Sequence, residues 1–164
     1  MKDIKEFQIS LFDVKLLPYE LYSIDYIWEE LKKHEELFGP LEKMEHATKT
    51  SIKEYYRDQG NLNNNHSRHF AYIKFCYDFE DKKCYGLVGG KTNYTYPDLS
   101  FDELNNQFKI DNRYARNFLN QKGIKWAETI IIVNHKPSIS EEADKQEALF
   151  LECYLQRRFN LFDS

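Results

Sequence analysis

The spacing of hydrophobic residues divides the first part of the chain into three regular stretches. Residues 7–11 alternate between apolar and polar side chains, which predicts a short strand. After Ser23, apolar residues recur every three or four positions as far as Gly39-Pro40, which predicts a capped helix with one apolar face. A weaker repeat over residues 41–58 predicts a second helix. The turn-forming residues 60–66 then predict a loop.

From residue 69 the pattern becomes typical of strands. Aromatic and β-branched residues are frequent at 69–79, strand-like residues continue at 84–88, and the polar turn 81–83 lies between them. These segments predict a β-hairpin. We expect Gly89-Gly90 to end its second strand and to allow a close approach by another backbone or a ligand.

The last part of the chain alternates helix, strand and helix. A short helix with one apolar face is expected before Gly123, and the β-branched run within residues 126–133 suits a central strand buried on both faces. Ser140, followed by two glutamates, predicts the start of a final helix that runs to about Arg158. The expected fold class is α+β, with a small three-stranded, mainly antiparallel sheet in a β-β-α-β-α core flanked by helices. Residues 1–66 form an N-terminal strand and helical extension, and residues 67–164 form the core.

Composition and charge narrow the class of protein. The 164 residues suit one domain, and the formal charge of -4 argues against a non-specific binder of polyanions. No apolar run is long enough for a membrane span or a secretory signal, so a cytoplasmic protein without membrane contact is expected. Three cysteines without a C-x-x-C pair disfavour both a disulfide framework and a thiolate zinc site.

Glu152 is the most informative polar residue in the pattern. Helical spacing places its carboxylate inside the apolar stripe of the final helix, together with Ala148, Leu155 and Phe159. A buried carboxylate needs an arginine, a hydrogen-bond network or a metal ion to compensate its desolvation. The alternative is a residue at the edge of the stripe that reaches water or pairs with Arg158.

Other candidate residues carry weaker signals. Arg113 and Arg116 lie three positions apart beside the apolar face of the short helix, where a solvated pair and a phosphate-binding fork are both compatible with the spacing. Lys91 follows Gly89-Gly90 and would bring a point charge to that strand end. Tyr72 lies on the first hairpin strand, opposite roughly Gly90, where an aromatic residue is usually part of the core.

Taken together, the order of elements and these residues resemble the GIY-YIG nuclease superfamily over about residues 69–164. Tyr72 stands in the place of the tyrosine of the GIY strand, Arg116 in that of the helical arginine, and Glu152 in that of the metal-binding glutamate. The segments that carry the resemblance are 70–74 (FAYIK), 87–92 (LVGGKT), 115–119 (ARNFL) and 148–160 (ALFLECYLQRRFN).

The resemblance implies a divalent-metal-dependent endonuclease that hydrolyses phosphodiester bonds in DNA, with a restriction-type enzyme as one candidate. Mg²⁺ or Mn²⁺ would be held by Glu152 and water, in keeping with the few carboxylate ligands that magnesium takes. Arg116 would hold phosphoryl oxygens, and Tyr72 would help to deprotonate the attacking water. The pKa of that tyrosine would have to be lowered by the metal or by a nearby cation such as Lys91. Lys91, or alternatively Tyr94, would take the place of the second tyrosine of the family.

This chain lacks a tyrosine at the position of the family's second tyrosine, and this leaves both the substitute residue and the function open. That position falls on Val88, with Tyr85 three residues earlier and Tyr94 further along, and we expect these tyrosines to contact the substrate together with Arg113 and Asn160. A catalytically impaired module that binds nucleic acid or a protein partner is therefore the alternative function. RNA is a less favoured substrate than DNA, and the oligomeric state is open.

Overall fold

The fold is given by a computed structural model. Of the 164 residues it describes 21–60, 68–94, 113–136 and 138–163. The strand expected at residues 7–11 and nearly all of the loop expected at 60–66 lie outside these ranges. Within them, no helix combines the length and the apolar composition that crossing a bilayer requires.

The first predicted helix is confirmed at its start and at its end. Helix α1 (Ile24–Lys33) begins after Ser23, whose hydroxyl accepts a hydrogen bond of 3.2 Å from the backbone N–H of Tyr26. A further short turn of helix, α2 (Glu35–Phe38), follows directly. Gly39 ends it with a φ of 83°, a backbone conformation that glycine adopts without strain.

The second predicted helix is wrong over its first residues. Residues Leu41–Glu45 form strand β1, which pairs antiparallel with strand β4 (Lys125–Val133), and helix α3 occupies only Lys49–Gly60. The backbone of β1 forms ladder hydrogen bonds with a buried β-branched strand. Such tertiary pairing outweighs a weak local preference for helix.

The predicted hairpin is confirmed, but its second strand is longer than expected. Strand β2 (Arg68–Asp78) pairs antiparallel with β3 (Lys83–Tyr94), and Tyr72 lies opposite Gly90 as predicted. The expected end at Gly89-Gly90 is wrong, because β3 continues through both glycines. Gly89 is closely approached, but by a side chain and not by the expected backbone or ligand, because a Cβ atom there would lie 2.9 Å from Cδ1 of Leu161.

The remaining elements follow the predicted order. Helix α4 (Arg113–Lys122) ends before Gly123, whose φ is 67°, and the chain then enters β4. Helix α5 (Glu141–Arg158) starts after Ser140, whose hydroxyl caps the backbone N–H of Ala143. Two further residues, Phe162–Asp163, form strand β5.

These strands form one mixed sheet in the order β1-β4-β2-β3-β5. The α+β class is confirmed, but the expected count of three strands is wrong because β1 and β5 extend the sheet. The neighbours β1, β4, β2 and β3 pair antiparallel, and β5 pairs parallel to β3. Since β1 belongs to residues 21–60, this earlier segment shares a sheet with the later part of the chain.

Helices cover the two faces of the sheet, and this division decides which side chains can meet. We call the side covered by α1, α2 and α5 the α5 face. The other side, covered by α3 and further along by α4, is the α3 face. The buried core of the α5 face consists of Ile27, Leu31, Phe38, Ala71, Ile73, Phe75, Ala127, Ile131, Val133, Leu151, Leu155 and Phe159. The α3 face is built by Ala47, Ile52, Tyr56, Phe70, Tyr72, Ile130 and Ile132, and beside α4 by Cys76, Leu87, Val88, Ala115 and Phe118.

Candidate active site

Tyr72 lies in the core of the α3 face. Only 4% of its surface is exposed, and it belongs to the same buried cluster as Ile52 and Tyr56 of α3. The ammonium of Lys74 lies 5.4 Å from the centre of its ring. Consecutive strand residues point to opposite faces, so Tyr72 lies on the other side of the sheet from the residues that face α5.

The two arginines expected to bind phosphate are on α4. Ala115 and Phe118 bury the inner side of this helix against the α3 face, while Arg113 and Arg116 are both exposed. The guanidinium of Arg113 lies 5.4 Å from the centre of the Tyr114 ring. The predicted trio of Tyr72, Arg116 and Glu152 is therefore not brought together, because α4 and α5 cover opposite sides of the sheet.

The expected substrate-binding residues are dispersed. Tyr85 is partly buried near the hairpin turn, where its hydroxyl donates a hydrogen bond to Asp81 that raises the pKa of Tyr85 to about 12. The backbone of Tyr94 pairs with Arg68 at the opposite end of the hairpin. Asn160 is exposed directly after α5, with a φ of 55°.

Lys91 and Glu152, by contrast, belong to the same side of the molecule. Lys91 pairs with Ala71, a core residue of the α5 face, and is partly buried. Glu152 lies on α5 and is half-buried, four residues after the fully buried Ala148. Burial raises the pKa of Glu152 above its ordinary value, although the positive charge of Lys91 acts in the opposite direction.

A second carboxylate acts on Glu152 from the last strand. Asp163 pairs with Gly89 in the parallel β3–β5 ladder, and its negative charge raises the pKa of Glu152 further. The side-chain amide of Gln156 ties α5 to β3 with a hydrogen bond of 2.8 Å to the carbonyl oxygen of Gly89. One end of β3 thus brings a lysine and two carboxylates together on the α5 face.

His69 adds an imidazole to this cluster. Its side chain is buried, its Nδ1 lies 3.4 Å from the ammonium of Lys91, and its Nε2 lies 3.5 Å from the carboxylate of Glu141. Burial and the charge of Lys91 lower the pKa of His69, so the neutral form is favoured. Sequence reasoning did not identify His69 as a functional residue. His69 precedes Ala71 by two residues on the expected first strand, and strand alternation places residues two apart on the same face of a sheet. That spacing was the available signal.

A fully buried ion pair fixes the backbone around His69. The guanidinium Nε of Arg68 donates to the carboxylate of Asp144 at 3.0 Å, and both side chains are completely buried. Asp144 also accepts the backbone N–H of His69 at 2.7 Å, and Nε2 of His135 bonds the backbone oxygen of His69 at 3.0 Å. Burial alone would raise the pKa of Asp144, but these hydrogen bonds and the charge of Arg68 outweigh it and hold the pKa below its ordinary value.

The donor set determines which metal ions suit this cluster. In the described part of the chain, no group of three or more histidine, cysteine or acidic residues is arranged to hold a metal. Zinc sites usually have three or four protein ligands. Magnesium takes one or two carboxylates and keeps several waters, and Glu152 with Asp163 fits that requirement.

A cavity of about 590 Å³ opens on the α5 face near the hairpin turn, at the far end from Lys91. Its described lining mixes both signs of charge and includes none of the predicted site residues. The lining residues are Ser23, Ile24, Asp25, Glu45, His46, Tyr77, Lys82, Lys83, Cys84, Lys125, Ala127, Glu128 and Thr129.

Comparison with known proteins gives no relative from which a function can be transferred. No protein-family model, no curated protein and no solved structure matches the chain.

Proposed function

We propose that this protein is a divalent-metal-dependent endonuclease that hydrolyses phosphodiester bonds in DNA, and that its reactive centre is formed by Lys91, Glu152 and Asp163. The proposal keeps the metal-binding glutamate of the GIY-YIG resemblance. It moves the centre away from Tyr72 and Arg116, because these residues belong to the other side of the sheet.

The half-buried carboxylate of Glu152 is the observation that carries the proposal. Burial and the neighbouring Asp163 both oppose its ionisation, and Lys91 supplies the compensating charge. A carboxylate that folding destabilises in this way is typical of sites that bind a cation or handle protons. Glu147 on the same helix is exposed.

The chain's own groups have distinct parts in this chemistry. Glu152 and Asp163 would hold the metal ion, which when bound supplies positive charge for the leaving oxygen. Lys91 would stabilise the negative charge that develops on the phosphoryl oxygens, as a fixed cation at the edge of the cluster. Tyr72 has a packing role in this arrangement.

The test is cleavage of supercoiled plasmid, with single-stranded DNA and structured RNA as comparison substrates, in Mg²⁺ or Mn²⁺ at low salt. We expect Glu152→Gln to abolish nicking and Lys91→Met to lower the rate about 100-fold or more. Glu147→Gln is the matched control on α5, and we expect it to cleave like the wild type. An intact, folded protein that cuts none of these substrates would contradict the proposal.

Tyr72→Phe tests which side of the sheet holds the reactive centre. Because Tyr72 lies in the core of the α3 face, we expect this variant to retain cleavage within about threefold of the wild type, since it keeps the buried ring. A loss as large as that of Glu152→Gln would instead favour the family arrangement, in which the tyrosine acts on the attacking water.

A non-catalytic module that binds nucleic acid or a protein partner is the second candidate. It is favoured by Val88, which stands in the place of the second tyrosine and is buried with 1% exposure against α4. In that case Glu152→Ala would leave binding unchanged and would remove no activity, which a gel-shift assay beside the cleavage assay measures directly.

A further inference from the structure

His69 makes side-chain contacts in two directions within the proposed centre. Towards β3, its Nδ1 lies 3.4 Å from the Nζ atom of Lys91. Towards α5, its Nε2 lies 3.5 Å from a carboxylate oxygen of Glu141. The imidazole therefore lies between a cation and an anion on two different elements.

These partners select one tautomer of the ring. The ammonium of Lys91 has only donors, so Nδ1 of His69 must accept its hydrogen bond. Nε2 then carries the proton of the neutral ring and donates to Glu141, which accepts. Glu141 thus orients the imidazole of His69, and the imidazole orients the ammonium of Lys91.

The backbone of His69 is held independently of its ring. Asp144 accepts the backbone N–H and His135 bonds the backbone oxygen. A substitution of the side chain leaves both of these contacts available, so the ring can be tested without removing what anchors the start of β2.

We propose that His69 is a positioning residue of the reactive centre, whose Nδ1 holds the ammonium of Lys91 on the side of Glu152. The proposal rests on the proposed function, because it assigns His69 a part in the same reaction. The proposal also predicts that cleavage weakens in acid, because a protonated imidazole has a donor at Nδ1 and no longer accepts a hydrogen bond from Lys91.

The charged groups around His69 set the direction of this dependence. Lys91 faces it from β3, Glu141 and Asp144 from α5, Arg68 precedes it on β2, and His135 reaches its backbone from the β4–α5 connection. Burial and Lys91 lower the pKa of His69, against the opposite effects of Glu141 and Asp144. Cleavage should therefore fall as the pH falls through a value below the ordinary 6.5 of histidine.

Two substitutions distinguish positioning from simple packing. The Oδ1 atom of asparagine can take the place of Nδ1, whereas the polar end of glutamine lies nearer the place of Nε2. We expect His69→Gln to lower kcat about 10- to 100-fold, as is common for residues that orient a reactive group. We expect His69→Asn to retain most of the activity and to lose the acidic limb of the pH profile. His34→Asn, at an exposed histidine after α1, is the control and should change neither.

Nitrogen NMR of the histidine rings tests the contact without metal, substrate or turnover. The wild-type protein should show the Nε2–H tautomer for His69 and a titration midpoint below 6.5, which rises in Lys91→Met. A neutral ring protonated at Nδ1, or a midpoint that does not respond to Lys91→Met, overturns the proposal whether or not any variant cleaves nucleic acid.

The two proposals fail in different ways. An active wild type with an equally active His69→Gln overturns the positioning role and leaves the proposed function intact. An inactive wild type with the expected NMR result contradicts the endonuclease and leaves the orientation of Lys91 by His69 supported.

Discussion

The buried pair of Arg68 and Asp144 allows the sharpest prediction of stability. Both side chains are fully buried, and the guanidinium also donates to Oδ1 of Asn134 at 3.3 Å and to the backbone oxygen of His135 at 2.9 Å. Asp144→Ala would leave the charge of Arg68 without a counter-charge in the interior. It would also remove the acceptor for the backbone N–H of His69.

The expected loss is about 3–5 kcal/mol of unfolding free energy, because removing one partner of a buried pair leaves an uncompensated charge. With an m-value of about 2 kcal/mol per molar urea, this corresponds to a shift of about 2 M in the denaturation midpoint. Equilibrium urea unfolding followed by tryptophan fluorescence measures it. Glu147→Ala, at an exposed position of the same helix, should change the unfolding free energy by less than about 0.5 kcal/mol.

The same pair predicts a pH dependence with a definite sign. Because folding lowers the pKa of Asp144, its carboxylate contributes stability above the ordinary pKa of 3.8, and this contribution is lost as the pH falls through the folded-state pKa. The difference between the wild type and Asp144→Ala should therefore shrink in acid. A loss below about 1 kcal/mol at neutral pH, or a difference that stays constant on acidification, would refute the reasoning.

Three further predictions concern single positions. Glu152→Gln should be more stable than the wild type near neutral pH and equally stable in acid. Folding raises the pKa of Glu152, so the wild type loses stability as the pH rises above the ordinary value of 4.5. Urea unfolding across pH tests this, and equal stability at every pH would contradict it. Gly89→Ala should cost about 1–3 kcal/mol in the same assay, since its Cβ would lie 2.9 Å from Leu161, and a neutral effect would show that Leu161 yields freely. Gly123→Ala should cost about 1–2 kcal/mol through its φ of 67° alone, because no atom lies within 4 Å of the new Cβ; an unchanged melting temperature would refute this.

The elements that sequence predicted well are those with strong local signals. Ser140 with the following glutamates fixed the start of α5, and the β-branched run of β4 indicated a buried central strand. The strand Leu41–Glu45 was missed because only its pairing with β4 stabilises it as a strand, and that partner lies more than 80 residues away.

The candidate site was predictable only in part, for a similar reason. The position of Glu152 in an apolar stripe follows from helical spacing. The side of the sheet that α5 covers does not, so Tyr72 was expected beside Glu152 and lies on the opposite face. His69 finds its partners 22 and 72 residues away, at Lys91 and Glu141, and no local pattern links them.

The location of the reactive centre is tested most directly by the paramagnetic effect of Mn²⁺ on the amide spectrum of the protein. If Glu152 and Asp163 hold the ion, the signals of Gly89, Lys91 and Glu152 should broaden first, and Glu152→Gln should remove the effect. Signals at the remote end of the hairpin, such as those of Lys82 in the turn and of Lys125 at the start of β4, should then stay sharp at the same metal concentration. Broadening centred on that remote end, or none at all near Glu152, would contradict a centre formed by Lys91, Glu152 and Asp163.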